Sequence, residues 1–89
     1  MQFAWDPNKA KVNVRKHGIA FEEAVTVFSD PLALILTDAN YSDRAILIGE
    51  SGKLRILLVV FIEIEDQDIR IISARRATVH ERKQYEEGS

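Results

Sequence analysis

The sequence predicts an α+β fold: two N-terminal helices, a four-stranded antiparallel sheet meander and a C-terminal helix, with a short extra strand available at the N-terminus. Three observations lead there. Helix caps occur before Pro31 and after Ala77, and 3.6-residue apolar spacing marks the second helix. Between them, runs of branched apolar residues alternate with turn formers. The links between those runs are too short for the crossover of roughly a dozen residues that parallel neighbours require.

Phe3 and Trp5 bracket a single residue and suit a short edge strand, with Trp5 anchoring the first helix to the core. Asp6 is an N-cap, its carboxylate accepting from orphan helix N–H groups, and Pro7 fits the first helical position, where no donor is needed. The first helix then runs from Pro7 to His17. Arg15, Lys16 and His17 meet the negative end of its dipole, and Gly18 supplies the left-handed residue that ends it. In the second helix Phe21, Ala24, Val25 and Phe28 form one apolar stripe. Glu22 and Glu23 occupy its first turn, and Ser29-Asp30-Pro31 stops it, because proline disfavours helical geometry in the residue before it. Strands are expected at Leu32 to Thr37, Arg44 to Glu50, Leu54 to Ile64 and Ile69 to Ala74, joined by hairpin-length links at 38–43, Ser51-Gly52 and 65–68. Thr78-Val79-His80-Glu81 has the capping-box form and opens the last helix.

With 89 residues and 46% hydrophobic content, the chain is expected to make one domain, 1–89, around one core. It has no cysteine, so disulfides and thiolate metal sites are ruled out, in keeping with a reducing, cytoplasmic setting. Its N-terminus has no signal-peptide pattern, and nothing approaches the ~18 apolar residues of a membrane span. The formal charge of −2, from 12 Lys and Arg against 14 Asp and Glu, argues against a uniformly basic nucleic-acid surface. Any RNA site is therefore local. Cations gather at Lys9, Lys11, Arg15 and Lys16, and again at Arg70, Arg75, Arg76, Arg82 and Lys83.

Three stretches together resemble the BrnT toxin family: Phe3-Ala4-Trp5-Asp6-Pro7 running into Lys16-His17-Gly18; Phe21-Glu22-Glu23-Ala24 through Asp30-Pro31; and Arg70-Ile71-Ile72-Ser73-Ala74-Arg75-Arg76-Ala77-Thr78. Asp43-Arg44 with Ile48-Gly49, and the closing Glu81-Arg82 and Tyr85-Glu86, complete a pattern spanning nearly the whole chain. The resemblance implies a RelE-like α+β fold and a ribonuclease toxin that acts on cellular transcripts and arrests growth. It also implies neutralisation by a cognate BrnA-type ribbon-helix-helix antitoxin, in a 2:2 complex that binds operator DNA through the antitoxin. Ala20 stands where relatives commonly carry a small hydroxyl residue, so the cap of the second helix should be poorer.

Cleaving RNA without metal or other cofactor needs a base for the 2′-hydroxyl proton, an acid for the leaving 5′-oxygen and cations for the phosphoryl oxygens. Arginine suits the last role, since its planar guanidinium stays charged and donates two parallel hydrogen bonds to phosphate. Arg75 and Arg76, leaving the last strand, are the expected catalytic cations, with Arg44 from a neighbouring strand as a third. Strict alternation places Arg70 and Arg76 on one face and Arg75 on the other. His17 is the acid or base candidate, because imidazole exchanges protons near neutral pH; the competing reading is that it only caps helix carbonyls. Lys9, Lys16, Arg70 and Tyr85 are the expected RNA-binding residues, with Tyr85 stacking on a base or packing on the sheet. For the arginines the bland alternative is a salt-bridge network with Glu81, Glu86 and Glu87. For the whole chain it is a non-catalytic module that docks an antitoxin or repressor. A stand-alone DNA-binding protein is disfavoured by the charge and by the lack of helix-turn-helix spacing.

Overall fold

The computed structural model describes residues 1–88. Its elements are β1 (Phe3–Ala4), α1 (Pro7–His17), α2 (Phe21–Val27), β2 (Leu34–Thr37), β3 (Ala45–Glu50), β4 (Ile56–Glu63), a 3₁₀ turn (Glu65–Gln67), β5 (Ile69–Arg76) and α3 (Val79–Glu87). The strands form one sheet in the order β1-β5-β4-β3-β2. The expected meander is β2 to β5, all antiparallel. β1 joins it parallel to β5, pairing Phe3 with Ile69 and Ala4 with Arg70.

Local chemistry sets the helix ends. The Asp6 carboxylate accepts from the Asn8 N–H at 2.8 Å, and Gly18, at φ 70°, sends its N–H back to the Val14 carbonyl. Ala20 caps α2 with no side-chain hydrogen bond, as its methyl group dictates. In α3, Thr78 and Glu81 complete the reciprocal capping box.

One face of the sheet, carrying Leu47, Leu57, Val59, Phe61, Ile69, Ile71 and Ala74, packs against Ile19 and the α2 residues Phe21, Ala24 and Val27. Phe21 is fully buried, a burial worth ~1.5–3 kcal/mol, and Trp5 meets its ring edge-on at 5.8 Å. Phe28 stands edge-on between Phe3 and Phe61, each 5.0 Å away. The opposite, outer face carries Ile48, Leu58, Val60 and Ile62, and α3 reaches one end of it.

Two strand edges are completed by side chains instead of backbone. Beyond Ala4, β5 loses its strand neighbour, and the buried Asn13 of α1 takes over: its Nδ2 donates to the carbonyls of Ala74 (2.7 Å) and Ile19 (2.8 Å), while the Ala74 N–H donates to its Oδ1 (3.1 Å). Beyond Leu34, β3 is met by Asp30, whose Oδ2 accepts from the Glu50 N–H at 2.8 Å. Gly49 makes that approach feasible, because a Cβ there would lie 2.9 Å from the Ala33 Cβ and 3.1 Å from Asp30 Oδ2.

The β3–β4 turn differs from the expected Ser51-Gly52 pair. Ser51 and Arg55 close it through the Ser51 N–H to Arg55 carbonyl bond, with the Leu54 N–H bonded to the Ser51 carbonyl. This is a three-residue loop whose last position needs a left-handed residue. Leu54 fills it at φ 63°, a conformation that costs a bulky residue ~1–3 kcal/mol. The turn is tied to α2: Gly52 N–H donates to Thr26 Oγ1, and Glu23 receives the Ser51 hydroxyl at 2.6 Å and the Arg55 guanidinium. That guanidinium holds the Glu23 carboxyl below the ordinary glutamate range against the opposing effect of burial.

Candidate functional site

β5 carries three of the candidate arginines, and it is not a regular strand. Val60 pairs with Ser73 but Phe61 pairs with Ile71, so Ile72 is an extra residue. Such a bulge inverts the alternation on one side of itself. Arg70, opposite Ile62, and Arg75, opposite Leu58, therefore share the outer face, while Arg76, opposite Leu57, takes the other. The strict-alternation expectation is corrected accordingly.

The bulge also forms the floor of a cleft of about 300 Å³ between α1 and β5. Ile72 and Ser73 line it from the strand; Lys9, Val12, Lys16 and His17 line it from the helix. Lys9, Val12, Asn13 and Lys16 lie at helical spacing on one face of α1. Asn13 is drawn inward by its bonds to Ala74, and the two ammonium groups stay exposed at the rim. His17, in the last turn of α1, is exposed at the same cleft.

On the rest of the outer face, Arg70 is exposed and makes no ion pair among the described residues. Arg44 lies one residue before β3, level with Ile62, so β4 separates it from Arg70 and the two backbones are ~10 Å apart. The Arg44 guanidinium stacks on Tyr41, 4.2 Å from the ring centroid, and its Nε is buried without a hydrogen-bond partner. The turn before it is held by Asp38, whose carboxylate accepts from the N–H groups of Asn40 and Tyr41.

Arg75 is engaged. Its two terminal nitrogens donate to both oxygens of Glu81, at 2.8 and 2.9 Å, and one also donates to the Arg76 carbonyl. This hydrogen-bonded pairing raises the Arg75 pKa and lowers that of Glu81. Of the expected acidic network only Glu81 takes part among the described residues. Arg76 instead lines a second cleft with Arg82 and Lys83 of α3.

Tyr85 stands apart from the α1 cleft. Its hydroxyl donates to Asp30 Oδ2 at 2.6 Å, pinning α3 to the loop before β2. That bond pushes the Tyr85 hydroxyl up from 10.0 to about 12. Burial of Asp30 opposes its ionisation but is outweighed by donation from the Glu50 N–H, the Tyr85 hydroxyl and the Leu32 N–H, so its pKa falls. The Tyr85 contribution to stability is thus complete below pH ~10 and is lost as pH rises toward about 12. An alkaline titration followed by tyrosinate absorbance is expected to show one late component near pH 12 that Tyr85→Phe removes. A Tyr85→Phe variant that loses no late component would contradict the bond.

The structure therefore gathers Lys9, Lys16 and His17 around one cleft and puts Arg44, Arg70 and Arg75 on one sheet face, and it directs Arg76 and Tyr85 elsewhere. Ser73 and Ile72 in the cleft floor, and Tyr41 under Arg44, went unanticipated. The only hint was the apolar pair Ile71-Ile72, which breaks alternation.

The family model of the ribonuclease toxin BrnT, of type II toxin-antitoxin systems, matches residues 5–81. The chain belongs to the BrnT family. A crystal structure of the Brucella abortus ribonuclease toxin BrnT superposes with a TM-score of 0.73 at 30% identity, covering 88% of this chain and 97% of that one. A comparison with curated proteins finds no match. The BrnT family match covers both walls of the α1 cleft and all of β5, so the cleft and its bulged strand lie within the family's own domain. No helix of the described residues is long and apolar enough to cross a membrane.

Proposed function

We propose that the chain is an endoribonuclease that cuts RNA by attack of the 2′-hydroxyl, without metal, in the cleft between α1 and β5. The observation that carries this reading is the joining of an exposed imidazole, His17, and two ammonium groups, Lys9 and Lys16, to the bulged strand that also presents Arg70 and Arg75. The local charge resolves the difficulty of a net −2 chain binding a polyanion. Lys9 and Lys16 neutralise the phosphoryl oxygens at the rim, and Arg70 and Arg44 hold the flanking backbone. The 2′-hydroxyl gives up its proton as its oxygen bonds to phosphorus, and the 5′-oxygen gains one as the P–O5′ bond breaks; His17 serves one of these two transfers, as base or as acid, and water serves the other. Arg75, at the far end of the same face, has its charge offset by Glu81 and reaches phosphate only when that pair opens. Transcript cleavage would stop translation and growth in the cytoplasm. A BrnA-type ribbon-helix-helix antitoxin, in a 2:2 complex on operator DNA, would restrain it.

The test is cleavage of a short labelled RNA by the purified chain in EDTA, with the product ends analysed. A 2′,3′-cyclic phosphate is expected, and His17→Gln should lower the rate ~10²-fold or more and flatten its dependence between pH ~5 and ~8. The Arg44→Ala, Arg70→Ala pair should raise KM more than it lowers kcat. Intact RNA with a folded protein would return the chain to the partner-docking reading. A loss from Arg76→Ala as large as that from His17→Gln would move the site to the other side of the sheet.

A further inference from the structure

The second cleft, of about 570 Å³, lies at the end of the sheet between the β3–β4 turn and α3, away from the α1 cleft. Its cations are Arg76, Arg82 and Lys83, none of which forms an ion pair among the described residues; Arg55, the fourth at its wall, is held by Glu23. Two aliphatic side chains flank them almost fully in solvent, Leu54 at 79% and Val79 at 63% exposure. Leu54 is the more telling. It holds a left-handed backbone at φ 63°, where glycine or asparagine would relax the turn, and it buries little in return. A strained residue whose side chain adds little to internal packing points to an external contact.

We propose that this cleft docks an acidic segment of a protein partner that inserts aliphatic side chains between Leu54 and Val79 while its carboxylates meet Arg76, Arg82 and Lys83. Charge complementarity fixes the sign of the occupant, and two features favour peptide over RNA. No aromatic ring lines the cleft, although unpaired bases are typically held by stacking. Glu50 and Glu86 stand at its wall, where a continuous phosphate backbone would be repelled but a mixed peptide would find partners for its own cations and N–H groups. The inference rests on the reading that this toxin has a protein antitoxin, and assigns it a surface separate from the cleavage cleft.

The test titrates the whole chain, followed by amide NMR shifts, with three probes of about ten units: a peptide alternating Glu and Leu, a polyglutamate, and an oligothymidylate, which lacks the 2′-hydroxyl and so cannot be cut. The Glu-Leu peptide is expected to shift Gly52, Leu54, Val79 and Lys83, to bind at least tenfold more tightly than polyglutamate, and to lose tenfold or more with Arg82→Glu, Lys83→Glu. Leu54→Gly should weaken the peptide while raising the melting temperature, so misfolding cannot account for the loss. RNA cleavage should be unchanged in these variants. The proposal is overturned if the oligothymidylate shifts the same amides as strongly, if no probe shifts them, if Leu54→Gly binds peptide normally, or if cleavage falls together with peptide binding. An unmutated chain that leaves RNA intact would instead sink the nuclease reading and leave the peptide result standing.

Discussion

Asn13→Leu is expected to remove a large share of the stability of the fold. The side chain is 5% exposed and makes three hydrogen bonds to backbone groups, two on Ala74 and one on Ile19. Leucine matches its size but leaves an N–H and two carbonyls buried without partners. Each such group costs ~1–3 kcal/mol, and the apolar gain of the leucine offsets only part of the sum. A net loss of about 3 kcal/mol is large against the ~5–15 kcal/mol total of a small domain, and corresponds to a fall in melting temperature of ~12–24 °C. Thermal and urea unfolding would measure it. Asn13→Asp provides the internal control: it keeps an acceptor for the Ala74 N–H but turns an anion toward two carbonyls. Its defect should shrink at acid pH, as the protonated carboxyl regains a donor. A melting temperature within ~3 °C of the parent for Asn13→Leu would mean that α1 does not hold the β5 edge in this way.

Gly49→Ala is expected to cost ~1–3 kcal/mol, the range for forcing extra volume into a packed interior. The added Cβ would sit 2.9 Å from the Ala33 Cβ, 3.0 Å from a Val27 methyl and 3.1 Å from Asp30 Oδ2. The alanine carbon cannot rotate away, so the backbone of the α2–β2 link must move. That movement loosens Asp30 from the Glu50 N–H and from the Tyr85 hydroxyl. The variant should therefore unfold earlier and also shift the late tyrosine titration down from about 12 toward its ordinary value. An unchanged tyrosine titration would show that α3 is anchored independently of Gly49.

Short-range chemistry was the legible part of the sequence. α1 begins and ends where Asp6, Pro7 and Gly18 say it must, and the capping box opening α3 was visible as Thr78 and Glu81. Strand limits were looser where a distant partner or a turn decides them. β4 starts at Ile56 instead of Leu54 because the left-handed Leu54 belongs to the turn. β5 runs past Ala74 to Arg76 because β4 continues opposite it. The parallel pairing of β1 joins residues more than sixty positions apart, which no local pattern encodes. For the site, Lys9, Lys16 and His17 were legible as one helix face and its end. The arginines were legible as residue types but not as directions, and Arg75 was legible as an Arg–Glu pair only in the bland alternative.

The supernumerary Ile72 has a consequence for how this strand tolerates change. It shifts phase midway, so that Ile69 and Ile71 before it, and Ala74 after it, all reach the interior. Excising that one residue would join Ile71 to Ser73 in a regular zigzag that keeps Ile69, Ile71 and Ala74 inward and Arg70 and Arg75 outward, so the loss would fall on the floor of the α1 cleft and not on the interior. A variant library sampling this strand should therefore recover deletions of Ile72 among its folded members, whereas deletion of a paired neighbour such as Arg75 would turn the residue beyond it to the opposite face.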